Sequence, residues 1–132
     1  MSLVEDVATY LELAGLGLPV YRGMLPDGPD AVVAVRDYAG LGPQYVHDQA
    51  LPAYERPNVQ IVARGAADEY DAPHDAAYAA WRALLQVRRV EINGTLYLSI
   101  TPLASPFKMD VDANGRVIFV ANFTTRREVP SA

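Results

Sequence analysis

Val90-Glu91-Ile92-Asn93-Gly94-Thr95-Leu96-Tyr97-Leu98-Ser99-Ile100 is the stretch on which the fold turns. Asn-Gly between two runs of β-branched and aromatic residues is the strongest short-range signal for a hairpin, because a two-residue turn needs residues that accept positive φ. Downstream, Phe107-Lys108-Met109, the Asn114-Gly115 turn and Arg116 through Phe123 suggest a second hairpin. The last third of the chain therefore reads as β. Residues from Thr124 to Ala132 read as a loosely held tail, so that residues 1–124 form the domain and 125–132 the tail.

Upstream lies an amphipathic helix over roughly 72–87. Asp71 can cap it, Pro73 is tolerated in its first turn, and Ala77, Trp81, Leu84 and Leu85 form its apolar stripe. Val59-Gln60-Ile61-Val62-Ala63-Arg64, closed by Gly65, reads as a strand. Ala31 through Tyr38 reads as another, apolar on both faces in its Val32–Val35 run, as in a central strand covered on both sides. Between these two strands, residues 39–57 show no periodicity and hold Gly40, Gly42, Pro43, Pro52 and Pro57. An irregular connection of this length is often functional.

Val20-Tyr21-Arg22 is a short strand, followed by the turn-forming Leu25-Pro26-Asp27-Gly28-Pro29-Asp30. A helix over 3–14 opens the chain. Ser2 and Glu5 form a capping box, Leu3, Val4, Val7, Leu11 and Ala14 make its stripe, and Gly15, Gly17 and Pro19 end it. The sum is an α+β domain in which two helices pack on one mainly antiparallel sheet.

Composition narrows the function. A chain of 132 residues fits one domain, and with no cysteine it excludes disulfides and thiolate metal sites. The N-terminus lacks a secretory signal pattern, and no apolar run is long enough for a membrane span. The net charge of −5 opposes sequence-independent DNA binding, which needs Lys and Arg to displace counterions. Arg88-Arg89 and Arg126-Arg127 are the only adjacent basic pairs.

The motifs that hint at chemistry have plainer readings. Asp110-Val111-Asp112-Ala113-Asn114-Gly115 matches the start of an EF-hand loop, but Ala121 stands where the bidentate Glu belongs, so it reads as a turn. Gly15-Leu16-Gly17 follows a helix rather than a strand and lacks a third glycine, so it is no phosphate cradle. Asn93-Gly94-Thr95 and Asn122-Phe123-Thr124 are sequons without a secretory context. His47 and His74 precede Asp48 and Asp75 directly, and adjacent residues are not expected to face each other as base and orienter. Asp68, Glu69 and Asp71 suit the positive end of the second helix. No catalytic, cofactor-binding or metal-binding residue emerges. A small ligand-binding or hydrolytic enzyme, built around His47 or His74, is the remote alternative. Tyrosine points elsewhere: Tyr38, Tyr45 and Tyr54 cluster in or beside the irregular segment, and Tyr and Arg are enriched where proteins meet proteins. Tyr38, Tyr45, Tyr54, Glu55, Arg56, Arg126 and Arg127 are the candidate interface.

Along nearly its whole length the chain also resembles the phage minor capsid family, whose members are tail terminators of long-tailed bacteriophages. The resemblance is carried by Ala31-Val32-Val33 leading to Asp37-Tyr38 and Gly40, then Tyr54-Glu55-Arg56-Pro57-Asn58-Val59-Gln60-Ile61 closing on Arg64-Gly65. It continues through Tyr78, Trp81, Gly94-Thr95-Leu96-Tyr97, Ser105-Pro106-Phe107, Asp110, Asn114-Gly115-Arg116 and Phe119-Val120-Ala121-Asn122-Phe123. It implies a small structural virion protein with no catalytic residues, made in the host cytoplasm. It further implies a homo-oligomeric ring, usually of six copies, that caps the tail tube, stops its growth and offers a surface for the head. The tail tube protein and a head-completion or connector protein are the implied partners, and DNA passes through the bore without specific binding. A head-completion or stopper protein at the connector is the alternative role. Subunits at −5 each would give an acidic bore that lets DNA slide.

Overall fold

The computed structural model describes residues 1–45 and 52–129. In chain order these form α1 (Leu3–Leu13), β1 (Val20–Arg22), β2 (Val32–Tyr45), β3 (Pro52–Ala67), α2 (Asp71–Leu85), β4 (Arg88–Ile92), β5 (Thr95–Pro102), β6 (Phe107–Val111) and β7 (Arg116–Glu128). One seven-stranded sheet runs in the order β1-β2-β3-β7-β5-β4, with β6 also paired to β7. All its pairs are antiparallel except β1 with β2. The α+β architecture expected from the sequence is the one observed.

The hairpin at residues 90–100 forms as read. Ile92 pairs with Thr95, and Asn93 and Gly94 sit between them at φ 50° and 83°, the two positive values that a tight primed turn requires. From it the sheet grows onto β7. Both β5 and β6 lie along one edge of β7, β5 against Phe123–Arg127 and β6 against Val117–Val120. Pro102 and Pro106 bracket the interruption between them, where proline cannot donate to a ladder. Leu103 spans the gap, its amide donating to the Asn122 carbonyl at 2.9 Å. β3 takes the other edge of β7 over almost its full length.

Two expectations give way here. Where it is described, the 39–57 segment is not an irregular loop: residues 39–45 and 52–57 are the outer halves of β2 and β3, paired as a two-stranded arm. Register shifts at 38/41, 41/44 and 44/45 explain the missing periodicity, since each bulge moves the following residues to the other face. Gly40 sits at the first shift. A Cβ there would collide with the Arg56 carbonyl, so only glycine lets the strands approach. The supposed C-terminal tail is also strand as far as Glu128. Thr125 is fully buried and donates to the Pro57 carbonyl at 2.8 Å, because β3 and β5 offer ladder partners on both sides.

Smaller differences are local. Tyr70, not Asp71, precedes the first helical residue of α2, and it makes no side-chain cap; Asp71 is the first helical residue. The Ser2 hydroxyl caps α1 by accepting from the Glu5 amide at 3.1 Å, but the Glu5 carboxylate turns away to Arg22. β1 runs parallel to β2 and covers only Val33–Val35 of that strand.

The core lies on the face covered by both helices. Val33, Val35, Val59, Ile61, Ala63, Phe119, Ala121, Phe123, Tyr97 and Ile100 meet Leu3, Val7 and Leu11 of α1 and Ala77, Ala80 and Leu84 of α2. The opposite face buries a smaller set, Ala34, Val62, Ile118 and Val120, beside Tyr21 and Leu25. The loop after β1 is pinned over that end of the sheet by two arginines. Arg64 donates to the Pro29 and Asp30 carbonyls at 2.8 and 2.9 Å, and Arg116 to the Asp27 carbonyl at 2.6 Å and the Asp30 carboxylate at 3.0 Å.

A buried polar network ties α1 to the sheet. Asp6 is fully buried and accepts from the Tyr97 hydroxyl at 2.7 Å and from Asn93 Nδ2 at 2.9 Å. Arg127 donates to the same Tyr97 oxygen at 3.1 Å, lies 3.7 Å from Asp6 and binds Glu55 through Nε. Burial, reinforced by the bond to Asp6, pushes the Tyr97 phenol above its ordinary range and keeps it a donor. On the surface, Arg22 grips Glu12 at 2.7 Å and Glu5 at 3.0 Å, and its hydrogen bond holds the Glu12 carboxyl below the usual range.

Three outcomes follow for denaturant unfolding. Phe123→Ala should cost about 3–5 kcal/mol, since a fully buried ring leaves a cavity under both helices. Asp6→Ala should cost about 2–3 kcal/mol by leaving the buried Tyr97 hydroxyl and the Asn93 amide without their acceptor, while Glu55 still pairs Arg127. Tyr97→Phe should cost only about 1–2 kcal/mol, because Asp6 and Arg127 can still relax toward each other. Acid should also destabilise the protein. The Asp112 carboxyl is depressed by the Arg116 amide, then by the Arg116 guanidinium and the Asn114 amide, and Glu12 is depressed by Arg22. A lowered folded-state pKa gives stability that is complete above about pH 4 and lost as pH falls below it, and Asp112→Asn should flatten that acid limb.

Candidate assembly surfaces

The seven candidate interface residues lie in the β2–β3 arm and the strand that supports it. Gln44 pairs with Tyr54, Leu41 with Arg56, and Glu55 with Arg127. Their roles separate. Tyr38 and Tyr45 are 41% and 61% exposed, and Leu41 between them is exposed too. Arg126 is exposed and stands 5.1 Å over the ring of Tyr54. Arg56 is tied down, its Nε donating to the Gly42 carbonyl at 3.0 Å, which braces one strand of the arm against the other. Glu55 is half-buried, and Arg127 is buried in the network with Asp6 and Tyr97. Alternation along β7 sends these two neighbouring arginines to opposite faces, so Arg127 is a structural residue and not a surface contact.

Two further surfaces escaped the sequence reading, one at each end of α2. At its N-terminal end, β6 is exposed along its whole length and presents Phe107, Met109 and Val111 to solvent. Acidic residues crowd this end: Asp68, Glu69, Asp71, Asp75 and Asp110 are all exposed. The fold gathers them. The Asp68 amide donates to the Gly115 carbonyl at 3.1 Å, Tyr70 packs edge-on against Phe119 at 5.1 Å, and Phe119 pairs with Lys108 of β6.

At the other end, the last turns of α1 and α2 diverge and leave an open groove of about 530 Å³. Tyr10, Leu13, Ala14, Leu16, Ala79 and Ala83 contribute apolar side chains to its lining, and Leu13 is 83% exposed. Arg82 and Gln86 line its rim, and the exposed Arg88 and Arg89 follow directly. Leu13 falls outside the apolar stripe of α1, and that was the only available hint of this groove in the sequence.

The motifs with possible chemistry resolve into structure. Asp112 is a turn residue: its Oδ1 accepts from the Asn114 and Arg116 amides at 3.0 and 2.9 Å, and its Oδ2 from Arg116 Nε at 2.7 Å. His74 does meet its neighbour, contrary to expectation, with Nδ1 2.9 Å from Asp75 Oδ1. Its ring is held by aromatic packing, at 4.7 Å from Tyr78 and 5.5 Å from Phe119, which turns it toward the adjacent carboxylate. His47 lies outside the described residues. Among the described residues no three His, Asp or Glu side chains gather as metal ligands would, and no helix is long and apolar enough to cross a membrane.

In fold the chain is similar to a solved chain from the "virion of native gene transfer agent (GTA) particle", with a TM-score of 0.72 and 18% identity over 97% of this chain and 96% of that one. No curated protein matches its sequence. A family model described as "Bacteriophage tail terminator protein" matches residues 10–129. The match takes in every strand and α2, so the chain belongs to the bacteriophage tail terminator family, whose members are structural virion components and not enzymes.

Proposed function

We propose that copies of this chain close into a ring of six, seated on the end of the tail tube, where the ring ends tube growth and offers a surface for the head. The family match over residues 10–129 carries this reading. The surface supports it. A chain with a well-covered core exposes Leu13, Leu41, Tyr45, Phe107 and Met109 in separate places. Separate patches suit a subunit with several neighbours, and a ring requires two different patches that meet head to tail.

In this reading the β2–β3 arm reaches the adjoining virion protein, tube or connector, through Tyr38, Leu41, Tyr45 and Arg126. Aromatic and arginine side chains on a braced arm suit such contacts. The acidic net charge suits a bore that DNA crosses without being held.

Removing the gene from a producing cell should give overlong tails that lack heads, seen by electron microscopy. Tails of normal length beside unattached heads would instead assign the chain to head completion. Tyr45→Asp should weaken attachment of the ring to its neighbour about tenfold or more while leaving the subunit folded, as measured by co-sedimentation with tails.

A further inference from the structure

We propose that the groove between the C-terminal ends of α1 and α2 receives the β6 ridge of a second copy, with Arg82, Arg88 and Arg89 facing that copy's acidic end. This inference rests on the ring reading and supplies its subunit contact.

The two surfaces are complementary in three respects. Apolar side chains stand on both: Tyr10, Leu13 and Leu16 at the groove, and Phe107 and Met109 on the exposed strand β6. The charges are opposite. Asp68, Glu69, Asp71 and Asp75 lie at the N-terminal end of α2 and Asp110 on β6 itself, with Lys108 as an exposed cation on that strand, and His74 is already paired to Asp75. Arg82 lines the groove and the exposed Arg88 and Arg89 follow just past Gln86, Arg88 also donating to the Val87 and Ile100 carbonyls at 2.9 and 3.5 Å, with Glu91 as an exposed anion beside them on β4. Arg22 at the foot of α1 is committed to Glu5 and Glu12.

The geometry is also suitable. The surfaces sit at opposite ends of α2, and its 15 residues span about 22 Å, so one copy cannot fill its own groove. A two-fold dimer through either end would set acid against acid or arginine against arginine, and like charges across an interface are costly. Head-to-tail contact pairs them correctly, and it is the kind of contact that generates a ring.

Charge exchange tests this in the full chain. One variant carries Arg82→Glu, Arg88→Glu and Arg89→Glu, and the other carries Glu69→Lys, Asp71→Lys and Asp75→Lys. Each alone should associate at least about tenfold more weakly than the parent in sedimentation at low salt, with circular dichroism confirming that both fold. Mixed in equal amounts they should recover assembly, because alternating subunits restore an opposite-charge contact at every joint. Either variant assembling alone like the parent, or a mixture of folded variants that fails to recover, would overturn the proposal.

Cysteine cross-linking checks the apolar part, since the chain has none of its own. Leu13→Cys with Met109→Cys should give a ladder of oligomers on oxidation, and neither single variant should. A dimer from one single variant alone would refute the head-to-tail arrangement. If the parent chain never associates, even on tails, the ring reading itself fails. Open filaments in place of rings would uphold the contact and reject closure.

Discussion

The structure depends on β7 being satisfied on both edges and nearly all of both faces. Its residues Val117 to Phe123 are buried in succession except for Asn122, which no single-sided strand could manage. Helices cover one face through Phe119, Ala121 and Phe123, and the pinned loop after β1 covers part of the other through Ile118 and Val120. With β3 along one edge and β5 and β6 along the other, its amides and carbonyls have partners as well. A backbone buried this deeply must be paired, so the register of the other long strands is fixed around it.

Charge in the interior serves the same end. Arg64 and Arg116 are nearly buried, yet each spends its donors on carbonyls or carboxylates of the 27–30 loop or the β6–β7 turn. Burial and the neighbouring Arg116 lower the pKa of Arg64, whereas Asp112 and Asp30 outweigh burial and raise that of Arg116. At the opposite end Arg127 plays the equivalent part, joining α1, β3 and β5 through Asp6, Glu55 and Tyr97. Such groups add little net stability compared with apolar substitutes, but removing one partner strands the other, which makes the arrangement specific. The result leaves exposed surfaces at the arm and at the two ends of α2.

How legible was all this beforehand? Helices and hairpins showed clearly where local signals agree: the Ser2 cap, the α2 stripe and the Asn93-Gly94 turn each depend on residues near in sequence. The arm did not, because its three register shifts erase the alternation by which strands are recognised. Strand in 124–128 was hidden for a different reason. Thr124-Thr125-Arg126-Arg127-Glu128 is polar, and only β3 and β5 on either side make it a ladder. The candidate surface was half legible. Tyrosine and arginine abundance found the arm, but could not tell Arg126, which faces out, from Arg127, which is buried. The exposed β6 residues carried no signal and the groove only the off-stripe Leu13, since exposed apolar residues look like core until the fold shows which side they face.

The sequence by itself determined the inventory: two helices, a β-rich second half, no thiol chemistry, an acidic surface and, through motifs strung along the chain, its family. These are properties of local propensity, composition and order, and they need no contact between distant residues. Tertiary structure alone decided which strands are central, where the charges gather and which side chains reach water. Asp6 and Tyr97, or Asp68 and Gly115, meet only after the sheet closes, because pairings across such separations are set by register and burial rather than by any neighbour in the chain.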